Sequence, residues 1–140
     1  MVGGGKMGAA LVAGLLSSGW AKAEELLVVE PVAARRTELA AAYPSLAVEA
    51  GVVSGEGAVV AVKPGDVEAA CRSLADTGVG RVLSLAAGVP LAKLESWLGP
   101  GAAVVRAMPN TPALVGCGAA AIAPGTLTSD ADLAWAEEIL

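Results

Sequence analysis

At 140 residues the chain is long enough for one domain with a core of its own, and a formal charge of −5 with no basic cluster beyond Arg35-Arg36 argues against nucleic-acid binding. The chain is 55% hydrophobic with a mean hydropathy of +0.65. Even so, the apolar run over residues 7–21 falls short of the ~20 residues a spanning helix needs, and the uncharged run over residues 107–129 is broken by Pro109, Asn110, Pro112 and Pro124. With no histidine, a histidine base, a Ser-His-Asp triad and a His-ligated metal are excluded on this polypeptide. Cys71 and Cys117 lie far apart without metal spacing, and no secretory signal is recognisable; both features read as free thiols in a reducing, cytoplasmic compartment.

In chain order, residues 6–18 are helix formers ending at Gly19, a natural residue just past a helix end. Residues 26–29 are a short continuous apolar run, as a buried parallel strand is, and Glu30 ends it. Pro31 suits the first turn of a helix running to about Tyr43. Residues 46–49 form a weak strand and residues 51–57 a turn or short helix. Residues 58–62 are a strand that Lys63-Pro64-Gly65 breaks, and residues 66–76 a helix with Asp66 as N-cap. A strand over 82–85, a short helix over 90–98 and a strand over 102–106 follow. The segment Met108-Pro109-Asn110-Thr111-Pro112 is then a stiff loop, because two prolines bracket it. Residues 119–123 form a last strand, and Ser129 with Asp132 caps a final helix.

This alternation predicts a Rossmann-like, doubly wound α/β fold with a mostly parallel sheet, and the small apolar side chains suit a sheet covered on both faces. Only Met1 and Val2 precede the glycine turn, and the last helix stops at Leu140. The expectation is therefore one dinucleotide-binding domain over residues 1–140, cut short at both ends.

Gly3, Gly5 and Gly8 have the G-x-G-x-x-G spacing: one glycine for a tight turn, one for close approach of a pyrophosphate, one for helix–strand packing. The helix that follows directs its N-terminal N–H groups at the phosphates. Glu30 stands 22 residues after Gly8, where an acid accepts from adenine ribose hydroxyls and favours NAD. Arg35 and Arg36 one turn later either offset that charge toward NADP or are a solvated helix face. The choice between NAD and NADP stays open, with local chemistry leaning to NAD.

Lys63 is a lone cation at a strand's carboxyl end, the edge at which open α/β sheets bind ligands. It either meets a substrate carboxylate or the nicotinamide, or reaches solvent; Pro64 shapes the wall beside it. The small residues at 84–89 allow either close ligand approach or tight strand–helix packing. Arg106 is expected in a structural salt bridge. Asn110 and Thr111 are the best polar candidates for contacting nicotinamide ribose or substrate. Cys117 lacks an activating base and reads as a packed thiol.

The glycine turn, Ala61-Val62-Lys63-Pro64, residues 84–89 and above all Arg106-Ala107-Met108-Pro109-Asn110-Thr111-Pro112 followed by Ala113-Leu114-Val115-Gly116 resemble pyrroline-5-carboxylate reductase. The resemblance spans nearly all of the chain. It implies NAD(P)H-dependent reduction of an imine acid to L-proline, with hydride passing from nicotinamide C4 to the ring imine carbon. It carries Gly3, Gly5, Lys6, Met7 and Gly8 over as the pyrophosphate turn, Ala61, Lys63 and Pro64 as the strand end beside the cofactor, and Met108, Pro109, Asn110 and Thr111 as the loop near the nicotinamide. No residue is assigned as proton donor. The family's C-terminal helical domain, which dimerises and closes the substrate pocket, has no counterpart here, so the implied full-length protein is a homo-oligomer while this chain binds cofactor only. The alternatives are a related β-hydroxyacid-type dehydrogenase and a non-catalytic dinucleotide-binding module.

Overall fold

The computed structural model describes residues 1–110, 112 and 118–140. In chain order the elements are α1 (Lys6–Ser17), β1 (Leu27–Val29), α2 (Ala33–Ala42), β2 (Ala47–Glu49), β3 (Gly57–Val60), α3 (Val67–Ala75), β4 (Arg81–Ser84), α4 (Leu91–Leu98), β5 (Ala103–Pro109), β6 (Ala120–Pro124) and α5 (Asp130–Ile139). Short 3-10 turns occupy Ala23–Glu25 and Pro64–Asp66.

Strands β1 and β2 pair in parallel, as do β3 with β4 and β4 with β5; β6 is antiparallel to β5. Val2 joins the two groups. It bridges both Val29 and Val60 in parallel, with Val2 N–H donating to Val59 O at 2.7 Å and Gly3 N–H to Val29 O at 2.9 Å. The chain start thus acts as the inner strand between β1 and β3.

Alternate strand residues feed opposite faces. Val28 packs with Val12 and Leu39 beneath α1 and α2, and Val59, Leu83 and Val105 pack with Leu11, Leu15 and Ala136 beneath α1 and α5. Val60, Val82 and Val104 pack with Val67, Cys71 and Leu94 beneath α3 and α4. Both faces are therefore covered, which is why the last three residues of β3 and of β4 are buried in succession rather than on alternate positions. This is the doubly wound, mostly parallel α/β fold expected from the sequence. Among the described residues no helix is long and apolar enough to cross a membrane.

Local signals act as read. Gly19 takes φ +73°, Trp20 N–H donates to Leu15 O and Gly19 N–H to Leu16 O, closing α1 with a left-handed glycine. Ser129 and Asp132 form a reciprocal capping box on α5. Three readings need correction. Asp66 makes no side-chain cap to α3, because the Pro64–Asp66 turn already leads into the helix. Residues 51–56 hold no helix. The strand expected over 102–106 continues to Pro109, because pairing with β6 (Met108 with Ala121, Pro109 with Ala120) overrides the proline at its end. Proline is tolerated at such a strand terminus, where one missing N–H disrupts little of the ladder.

Candidate functional site

The carboxyl ends of β1, β3, β4 and β5 lie along one sheet edge, and the glycine turn emerges there between β1 and β3. Each glycine has a distinct physical reason. Gly3 has φ +104°, and a Cβ there would stand 2.8 Å from Ala61 O. A Cβ on Gly8 would collide with the carbonyl oxygen of Gly3, so α1 can approach the turn only without one. A Cβ on Gly5 would meet nothing within 4 Å, so this position faces open space. Gly5 is also the N-cap of α1, and no side chain caps it, leaving the helix's first N–H groups and partial positive charge to that space.

A cavity of about 520 Å³ opens at this point. Its lining brings together Gly3, Gly5, Glu30, Ala61, Val62 and Lys63, six of the residues singled out from sequence, with Asp66 and Ser73 of the next helical segment. An uncapped helix start, a glycine with free space before it and a cavity between the β1 and β3 ends fit a dinucleotide. Lys6 is exposed at the helix start, and Met7 packs partly against the α1–α5 cluster. Pro64 is exposed and opens the 3-10 turn after β3.

Glu30 is buried, and its carboxylate is engaged by the backbone: Oε2 accepts from Gly4 N–H at 3.0 Å and Oε1 from Val32 N–H at 2.9 Å. Arg35 Nε donates to Gly4 O at 2.8 Å, and its Nη1 pairs with Glu38 at 2.6 Å. Sequence reasoning gave Glu30 its place but not its bond to Gly4, which lies 26 residues away and meets it only in the fold.

The second group stands at the end of β5. Met108 is exposed and Asn110 closes the connection toward β6: its N–H donates to Ala119 O and its Oδ1 accepts from Ala119 N–H, both at 3.0 Å. Pro109 lines a different cavity of about 620 Å³ between α1, residues 118–120 and the end of α5. That cavity holds none of the glycine-turn residues and one charged side chain, Glu138, so it lacks the donors a pyrophosphate needs. Thr111 and Cys117 lie outside the described residues. Ser84, Leu85, Ala86 and Val89 are buried and packed, whereas Ala87 and Gly88 between them are exposed. Arg106 is in neither ion pair of the described residues, Arg35–Glu38 and Arg72–Glu68, and its buried Nε has no hydrogen-bond partner; the expected salt bridge is absent there.

The family model described as "NADP oxidoreductase coenzyme F420-dependent" matches residues 1–88, the glycine turn through β4 and the loop after it. The chain belongs to that family. As a member of this oxidoreductase family it is also 35% identical, over 99% of its length and 52% of the relative's, to the pyrroline-5-carboxylate reductase of Pseudomonas aeruginosa. Its fold matches a pyrroline-5-carboxylate reductase from Coxiella burnetii with a TM-score of 0.89 and 29% identity, covering 99% of this chain and 53% of that one. The Plasmodium falciparum pyrroline carboxylate reductase with NADP bound matches with a TM-score of 0.81 and 25% identity over 99% of this chain and 52% of that one. The chain spans about half the length of the relatives it matches.

Proposed function

We propose that this chain is the dinucleotide-binding part of an NAD(P)H-dependent pyrroline-5-carboxylate reductase, which reduces 1-pyrroline-5-carboxylate to L-proline. The observation that carries the reading is the glycine-turn cavity, standing at the same sheet edge as the Met108-Pro109-Asn110 segment in a chain similar over 99% of its length to relatives of that name. We assign the pyrophosphate to Gly3, Gly5 and Gly8 with the first turn of α1, including Lys6 and Met7. Glu30 stands on the adenosine side, and Ala61, Val62, Lys63 and Pro64 form the wall between the two nucleotides. Met108, Pro109 and Asn110 border the nicotinamide end. A cytoplasmic location and assembly into a homo-oligomer belong to the same proposal.

Bound there, a reduced nicotinamide supplies the hydride that an imine carbon accepts. The chain's own residues hold and orient. Backbone N–H groups at the start of α1 meet negative charge without moving, and the absence of a side chain at Gly5 lets that charge approach. Lys63, exposed at the cavity rim, adds positive charge on the substrate side. Asn110, held by its own hairpin bonds, fixes the backbone beside the ring rather than swinging freely.

Calorimetric titration of NADPH and NADH into the 140-residue chain tests this. Binding is expected; absence of binding by both removes the reading. The same sample with pyrroline-5-carboxylate is expected to show no family-like turnover, since relatives of that name are about twice as long. Steady-state oxidation of NADPH by these 140 residues would overturn that division of labour.

A further inference from the structure

The Glu30 carboxylate, 8% exposed, is the buried acidic group of the described residues. A charge in such a place is costly unless donors meet it. Here the donors are two backbone N–H groups from separate segments: Gly4 of the glycine turn and Val32 beyond the end of β1. The side chain also fills the space against the turn, since a Cβ on Gly4 would stand 3.2 Å from Glu30 Cβ and 3.3 Å from its Oε2. The other side of Gly4 is held by Arg35, whose Nε donates to its carbonyl at 2.8 Å. Gly4 is thus fixed through its N–H and its C=O.

Arg36 is arranged differently. Its Nη1 alone donates to two carbonyls, Glu30 O at 2.9 Å and Pro31 O at 2.8 Å. That anchors the guanidinium beside two residues that line the cavity, and among the described residues its Nη2 and Nε make no bond. An acid that selects a bare ribose must offer its oxygens to hydroxyl donors. A guanidinium with spare planar donors matches a phosphate instead.

We propose that Glu30 is a positioning residue that braces the glycine turn, and that Arg36, not the Glu30 carboxylate, sets the preference between dinucleotides, in favour of the one phosphorylated at the ribose 2′ position. The proposal rests on the dinucleotide reading above. It reverses the lean to NAD that an acid at this position gives from sequence alone.

The test uses the 140-residue chain and two readouts: thermal unfolding without dinucleotide, and calorimetric affinity for NADPH and NADH. Glu30→Gln keeps one acceptor but turns an amide N–H toward a backbone N–H. It is expected to lower the unfolding temperature of the unliganded chain and to weaken NADPH and NADH alike, within roughly threefold of one another. Glu30→Asp keeps the charge but is a methylene too short to reach both N–H groups, and the same even loss is expected; it serves where the glutamine variant does not fold. Arg36→Ala is expected to weaken NADPH about tenfold or more and NADH less than about threefold.

If Glu30→Gln or Glu30→Asp weakens NADH selectively while the unliganded chain unfolds as before, the carboxylate is the ribose acceptor and the brace is refuted. An unchanged NADPH-to-NADH ratio in Arg36→Ala refutes the assignment of Arg36. If the unmodified chain binds neither dinucleotide, the cofactor reading falls and the Arg36 assignment with it, while the unfolding temperature of the Glu30 variants still decides the brace.

Discussion

The glycines of the turn separate folding from binding residue by residue. Gly8→Ala sets a methyl group against the Gly3 carbonyl, which neither backbone can yield easily. A loss of about 2 kcal/mol in urea-unfolding free energy is expected. Gly5→Ala meets open space at an ordinary φ of −68°, so its stability cost should stay below about 1 kcal/mol while NADPH affinity falls about tenfold. Equal stability losses in the two variants would show that Gly5 is not the open position. Cys71 gives a second test. It has no exposed surface in α3, and burial pushes its thiol up to about 11. In a Cys117→Ser background, Ellman's reagent at pH 8 should react only as fast as the chain unfolds; prompt labelling would contradict the buried thiol.

At the scale of elements, local signals and distant pairings part company. The capping box on α5 was legible because Ser129 and Asp132 need only each other. The Ser129 hydroxyl and N–H hold the Asp132 carboxyl below its ordinary value. Ser129→Ala should therefore cost about 1 kcal/mol near neutral pH. A carboxyl lowered in the fold contributes stability that is present above its unfolded value and lost as pH falls through the folded one. The difference between wild type and Ser129→Ala in chemical unfolding should accordingly shrink on acidification below about pH 4, and a gap constant to acid would refute the pairing. The Schellman-type close at Gly19 was readable on the same local terms. The extension of β5 to Pro109 was not, since its partner is β6, which begins only at Ala120. The contacts of Glu30 were hidden likewise: spacing placed the acid at a strand end, but only the fold brings Gly4 to it. Of the candidate site, the glycine turn and the residues around Lys63 could be read as one place; which of residues 84–89 are buried, and that Arg106 Nε finds no partner among the described residues, could not, because burial is decided by helices packed from elsewhere.

At the scale of the whole 140-residue chain, the amine at Met1 carries a pH dependence. The Met1 amine donates to Leu27 O at 2.7 Å, and burial lowers it to about 6 from an ordinary 8.0. A lowered amine is neutral in the fold and charged in the unfolded chain below its ordinary value, so protons favour unfolding. Its contribution is whole above pH 8, declines as pH falls from 8 toward 6, and is gone below. The 140-residue chain should lose about 2 kcal/mol across that window, measured by urea unfolding at each pH. A version with a few residues ahead of Met1 has no amine there and should show no such slope; an identical slope would assign it to other groups.

The bridging of Val29 and Val60 by Val2 has a consequence for the order of assembly. Val2 is slotted between strands that begin at Leu27 and Gly57, both far along the chain from it. Until β3 is in place, this inner position has a neighbour on one side at most, and the β1–β2 pair cannot join the β3–β6 group. That seam is therefore closed late, through contacts of long sequence separation that are slow to find. The glycine turn, which hangs from that seam, takes its final shape no earlier than the sheet itself.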